Sequence, residues 1–133
     1  MRFIEPVTLR GDVATLEPLQ QEHTDALARA AADGELWRLW YTHIAPPAQM
    51  PEYVGAALDM RERLDAMPFV VRANASGEVV GCTRYFNVDA RNRRLEIGHT
   101  WYARSVQRTA LNTECKLLLL AHAVALLVRQ LLL

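Results

Sequence analysis

Cysteine is nearly missing from this chain: two in 133 residues, Cys82 and Cys115, far apart, with no CxxC spacing and no histidine beside either. That excludes a disulfide framework and a thiolate metal site, and it reads as two reduced, mostly buried thiols in a cytoplasmic protein. An excess of one charge is missing too. Fifteen Lys+Arg balance fifteen Asp+Glu, so no global field argues for a nucleic-acid partner or an anionic membrane. The one basic cluster, Arg91, Arg93 and Arg94, reads as a solvated hairpin tip. There is no internal repeat, no low-complexity segment and no Pro/Gly/Ser-rich linker. No His/Cys/Asp/Glu cluster has metal spacing, and neither Gly-x-Ser-x-Gly nor a Cys–His arrangement offers covalent catalysis. The opening MRFIEPVTLRGD lacks the apolar stretch of a signal peptide. The leucine-rich tail from Leu117 to Leu133 is interrupted by His122, Arg129 and Gln130. It is also shorter than the ~20 residues a bilayer needs, so a buried helix is expected there and no membrane span.

What is present fits one soluble domain with a modest core: 51% hydrophobic and 23% charged residues, both ordinary values. VTLRGDVATLEPL alternates around a Gly-Asp turn signal and predicts one strand or a tight pair. Gln20 to Gly34 predicts a helix with Leu27, Ala30 and Ala31 on its apolar side and Gly34 as its C′ residue. The aromatic segment LWRLWYTHIAPP follows, and Pro51 then opens a second helix, PEYVGAALDMRERLDAM, with Tyr53, Val54, Ala57, Leu58 and Leu64 at helical spacing. After Pro68 the period changes. PFVVRANA and EVVGCTRYFNVD read as strands joined at Ser76-Gly77, and RLEIGHTWYA reads as a third after the turn NVDARNRR. A meander of antiparallel strands with helices packed on it is an α+β domain.

One loop stands out for having no glycine. Gln107-Arg108-Thr109-Ala110-Leu111-Asn112-Thr113-Glu114-Cys115-Lys116 lies between the last strand and the leucine-rich helix. The first four N–H groups of a helix have no internal partner, and the helix dipole adds positive potential there, so such a loop can hold a phosphate. Ala110 adds one methyl where a glycine would let the phosphate approach, which is tolerable if φ is negative there. Asn112 tolerates the left-handed region and is placed to cap a helix beginning at Thr113. Arg104, Arg108 and Lys116 supply cations. A phosphate cradle and a capped helix start without a ligand both fit these residues.

The strand–loop–helix unit LEIGHTWYARSVQRTALNTECKLLLL resembles the GCN5-related N-acetyltransferase (GNAT) family, in particular its ribosomal-protein alanine/serine acetyltransferase branch. The family signature Arg/Gln-x-x-Gly-x-Gly/Ala reads here Gln107-x-x-Ala110-x-Asn112, followed by Thr113-Glu114 and preceded by Glu96-Ile97-Gly98. The resemblance implies a GNAT-like fold and an acetyl-CoA-dependent transfer to a primary amine of a protein N-terminus or a small molecule, with no metal. It implies that the pyrophosphate sits on Gln107, Arg108, Thr109, Ala110, Leu111, Asn112 and Thr113. The pantetheine arm would pair with the strand near Trp101 and Tyr102, and the thioester would lie beside Glu96 to His99. Glu96 is then the candidate general base, with a structural carboxylate as the other reading. Alternation puts His99 on the opposite face from Glu96 unless a bulge intervenes. Trp37, Trp40, Tyr41 and His43 either line an acceptor pocket or pack in the core.

A complete domain of this family continues with a fifth strand, a fourth helix and usually two more strands. Residues 1–133 are therefore expected to form a single, C-terminally truncated domain without the family's usual tyrosine acid. The helix from Leu117 to Leu133 is apolar on every side, and the strand before it would be an open edge, so self-association is expected through both. A non-catalytic CoA-binding or self-associating fragment is the alternative to an enzyme.

Overall fold

The computed structural model describes residues 3–39 and 44–132. Its centre is one antiparallel sheet in sequence order: β1 (Leu9–Arg10), β2 (Ala14–Pro18), β3 (Met67–Ala73), β4 (Val79–Asp89) and β5 (Arg94–Tyr102). Helices α1 (Thr24–Ala32) and α2 (Met50–Glu62) are inserted between β2 and β3, and α3 (Ala110–Leu132) follows β5. The α+β expectation holds, and the opening segment is the tight pair, with Leu9 opposite Leu16.

Two covered faces explain the composition of the middle strands. Arg84 on β4 meets Tyr53 and Met60 of α2, whereas its neighbour Tyr85 donates to the Leu119 carbonyl of α3 at 2.6 Å. Successive strand residues point to opposite faces, so α2 lies on one side of the sheet and α3 on the other. α1 packs on α2 and β4. A strand covered on both sides has no polar phase, which is why β3 is buried without a break from Met67 to Val71. Phe69 meets Tyr85 edge-on, with ring centroids 5.7 Å apart, and both are fully buried under α3.

The helix ends differ in part from expectation. A 3-10 turn at Gln21–His23 precedes α1, and Gly34 follows α1 with φ 93, as a C′ glycine should. Pro51 sits in the first turn of α2. The expected run to Met67 stops at Glu62, because Leu64 turns left-handed with φ 62 while Asp65 N–H bonds to the Met60 carbonyl. That closure ends helices and normally employs glycine; Leu64 gave no such signal.

α3 is seated by its second turn. The Glu114 carboxylate accepts the N–H groups of Asp12, Val13 and Ala14 at 2.6, 2.6 and 2.8 Å, filling the turn between β1 and β2. A Cβ at Gly11 would collide with that carboxylate, so glycine is required there by approach. Asn74 holds the other side of the turn, donating to the Gly11 carbonyl and accepting from Thr15.

The seating has a direct test. Glu114→Ala should cost about 2 kcal/mol, since hydrogen bonds to a charged acceptor are worth about 1.5–3 kcal/mol and these share one carboxylate. Gly11→Ala should cost a similar amount by evicting the same group. The double variant in urea unfolding should cost little more than either single one; full additivity would mean the two residues act separately.

Candidate active site

The last strand reaches the site through a bulge. Tyr102 and Trp101 pair with Gly81 and Cys82, but the next pair is Gly98 with Arg84. Thr83 therefore faces two residues, His99 and Thr100, and His99 takes φ 51. An inserted residue breaks the ladder and resets alternation. His99 consequently lies on the same face as Glu96 and Phe86, edge-on to the Phe86 ring at 4.8 Å. The opposite placement given by strict alternation is thus overturned by the bulge. Glycine fits at 98 because a Cβ there would lie 2.6 Å from the Phe86 ring.

Beyond Tyr102 the chain is pinned before it turns into α3. Ala103 N–H bonds to the Val80 carbonyl, Arg104 N–H to the Asp33 carbonyl, and Ser105 N–H to the Asp33 carboxylate. Gln107 Nε2 folds back on the Tyr102 carbonyl at 2.9 Å. Arg108 then takes the left-handed conformation, φ 61, that the missing glycine would have supplied, and Ala110 carries no such demand because it is already helical. The helix begins three residues before the expected Thr113. Thr109 is its cap, accepting the Leu111 N–H and donating to the Val106 carbonyl. Asn112 is therefore not the cap. It sits in the first turn, and its Oδ1 accepts the Tyr102 hydroxyl at 2.8 Å.

A cavity of about 400 Å³ opens where β5, this loop and α3 meet. Trp101, Tyr102, Gln107, Arg108 and Asn112, five of the residues expected to bind the cofactor, line it together with Thr100, Lys116, Leu39 and Ile44. Arg108 and Lys116 are its charged residues, so its potential is positive, and the first turn of α3 adds to it. Lys116 Nζ donates to Thr100 Oγ1 at 3.2 Å, and that hydroxyl also bonds to Thr83. Burial pulls the Lys116 pKa below the ordinary lysine value. Burial also holds the Tyr102 hydroxyl well above the usual tyrosine range, so it stays a neutral donor to Asn112. The Cys115 thiol beneath the cavity is pushed up to about 11, first by burial, and is inert at neutral pH.

Not every anticipated residue meets there. Thr109, Ala110 and Thr113 are exposed around the helix start, while Leu111 is buried and offers the cavity no side chain. Arg104 packs against Gly34 rather than lining the cavity. Glu96 lies farther back along β5, exposed, accepting from the Asn87 side chain across a second bulge. Thr100 was missed because only the bulge turns it toward α3. Trp37 is half-buried in a short turn; Trp40, Tyr41 and His43 lie outside the described residues. A 20-residue stretch of α3, Ala110–Arg129, is long and apolar enough by length and composition to cross a membrane. That exceeds the length read from the leucine run, because the helix starts earlier. Here Glu114, Lys116 and Leu119 bind it to the sheet.

Comparison with known proteins agrees with this architecture. No curated protein sequence matches the chain. Among solved structures, a GCN5-related N-acetyltransferase from Brucella melitensis superposes with a TM-score of 0.75 at 27% identity, over 90% of this chain and 55% of that one. A probable GNAT-family acetyltransferase from Chromobacterium violaceum gives 0.76 at 27% identity, over 92% and 62%. A ribosomal L7/L12 alpha-N-protein acetyltransferase in complex with coenzyme A gives 0.71 at 16%, over 87% and 67%, a likeness of fold. The chain thus spans between 55% and 67% of the length of these structures. The family model described as an acetyltransferase (GNAT) domain matches residues 14–132, nearly the whole of the sheet and all three helices, and the chain belongs to that family.

Proposed function

We propose that this chain carries the cofactor-binding part of an N-acetyltransferase that moves the acetyl group of acetyl-CoA to a primary amine, on a protein N-terminus or a small molecule. The observation that carries this reading is the cavity at the end of β5, where a helix N-terminus, Arg108 and Lys116 converge without a lining carboxylate. A pyrophosphate is what such a place attracts, since unpaired N–H groups, the dipole and two cations all act on one anion. Gln107 and Arg108 sit at the mouth, and β5 is the last strand of the sheet among the described residues. No further strand of the described residues pairs with its outer edge, where the amide groups of a pantetheine arm would lie. The coenzyme A bound by a structure of the same fold supports this assignment.

With the arm along β5, the thioester lies toward the bulge at His99. The neutral amine attacks the thioester carbonyl, the C–S bond breaks, and the CoA thiolate leaves and is protonated. The proton lost by the amine passes to Glu96 through water.

A second reading rests on the outer face of α3. Leu117, Leu120, Val124 and Val128 recur at helical spacing and are 63, 53, 57 and 49% exposed. Such a stripe rarely faces water, and a second copy of the chain, stripe against stripe, would cover it.

Three outcomes test these readings. Calorimetry with CoA should give binding that weakens with salt. Arg108→Gly should weaken it about tenfold, roughly the worth of one charge-assisted contact, while stabilising the free protein by relieving the left-handed side chain, worth ~1 kcal/mol. Unaltered affinity in that variant would remove Arg108 from the site. Thiol release with amine acceptors should fall about 100-fold in Glu96→Gln, the lower range for a lost general base, with CoA affinity intact. Light scattering should find dimers that Leu120→Lys with Val124→Lys dissolves; a wild-type monomer at high concentration rejects the second reading.

A further inference from the structure

Arg84 is the most deeply buried charge among the described residues, 4% exposed in the middle of β4, and its partners are poor. One terminal nitrogen donates to the Met60 sulfur at 3.4 Å, the other to the Tyr53 hydroxyl at 3.3 Å, and the guanidinium carbon lies 5.6 Å from the Tyr53 ring centroid. Sulfur is a weak acceptor and 3.3 Å is a long N–H···O bond. Among the described residues no carboxylate comes within ion-pair distance of it. Nor does Tyr53 serve as its counter-ion, for burial drives the phenol far above its ordinary pKa and keeps it neutral. A buried cation without an anion is costly; the cation–π contact with Tyr53 offsets part of that cost and leaves the guanidinium without an ionic partner.

The guanidinium forms one wall of a cavity of about 350 Å³ between α2 and the bulge, with Tyr53, Met60, Gln49, Glu52 and His99 around it. This cavity adjoins the cationic one at the end of β5. His99 lines the first and Thr100 the second, and Ala45 and Ile44 divide in the same way. The two spaces therefore meet across single peptide units at the point assigned to the thioester. A volume of that size takes a small amine or the first residues of a peptide.

We infer that the α2-side cavity is the acceptor pocket and that Arg84 selects amines carrying a carboxylate or a phosphate. The inference rests on the proposed acetyl transfer for the word acceptor, though not for the anion site itself. A planar guanidinium pairs bidentately with either group, and around a side chain this buried the pairing is strong. Glu52 stands exposed at the rim, where it draws in the ammonium form of an arriving amine in preference to a plain anion.

The test uses the full chain with three probes of similar reach: 4-aminobutyrate, O-phosphoethanolamine and neutral n-butylamine. Each is titrated by calorimetry and thermal shift, with and without CoA, against wild type, Arg84→Met and Arg84→Gln. Binding of either anionic amine at least tenfold tighter than butylamine is expected, and the stronger of the two names the anion. Arg84→Met should lose that preference while melting at the wild-type temperature or above it, because the uncompensated charge is gone, and its CoA titration should be unchanged. Equal binding of all three probes, no binding of any, or preference surviving in both variants overturns the inference. So does a large loss of melting temperature in both variants, which would make Arg84 a structural brace. If the anionic amines bind and CoA does not, the acetyl-transfer reading fails while the anion site stands.

Discussion

The carboxylate of Glu114 decides where α3 lies, and the site at its start depends on that. Three backbone N–H groups of the β1–β2 turn close on one side chain, which ties the helix to the far end of the sheet from β5. The other contacts of α3 are spaced from that fixed point: Asn112 under Tyr102, Lys116 under Thr100, Leu119 under Tyr85. A slide of one helical turn, 5.4 Å, would break all three together. The cavity at the end of β5 is thus held by a hydrogen-bonded register along α3, anchored at the opposite edge of the sheet.

Much of the architecture was legible because it follows from period and punctuation. The change from helical to alternating spacing at Pro68, the Ser76-Gly77 turn, the C′ glycine at Gly34 and Pro51 at a first turn are local devices, and the chain uses each as expected. Part of the candidate site's lining was legible through Gln107, Arg108 and Asn112 of the loop. What escaped the reading shares one cause. Leu64, His99 and Arg108 all hold positive φ without glycine, and a residue of ordinary type gives no sign that tertiary packing will force it there. The early end of α2, the reversed face of His99 and the presence of Thr100 in the cavity each follow from one such residue.

The loop without glycine shows how a backbone requirement can be met by a different residue. One left-handed position is needed to bring the chain from β5 into the helix, and it falls on Arg108 rather than on Ala110. The strain, of order 1 kcal/mol, places a cation at the mouth of the cavity. Ala110 is then an ordinary helical residue with its methyl exposed. The departure from the signature spacing at that position leaves the helix N-terminus accessible.

The bulge at His99 has the wider consequence. A regular β5 would carry His99 under α3 and leave one continuous wall between the sheet and α2. The extra residue turns Thr100 toward Lys116 and His99 toward Phe86, so consecutive residues face different cavities. The cationic groups divide in the same way, Arg108 and Lys116 on one side and Arg84, with Glu52 at the rim, on the other. Two anionic ligands arriving on opposite sides of one peptide unit would each neutralise the nearer group, and their reactive ends would be left as the uncharged parts pointing at each other. Transfer between a thioester and a neutral amine is served by that arrangement, because charge is kept at the far ends and away from the reacting atoms.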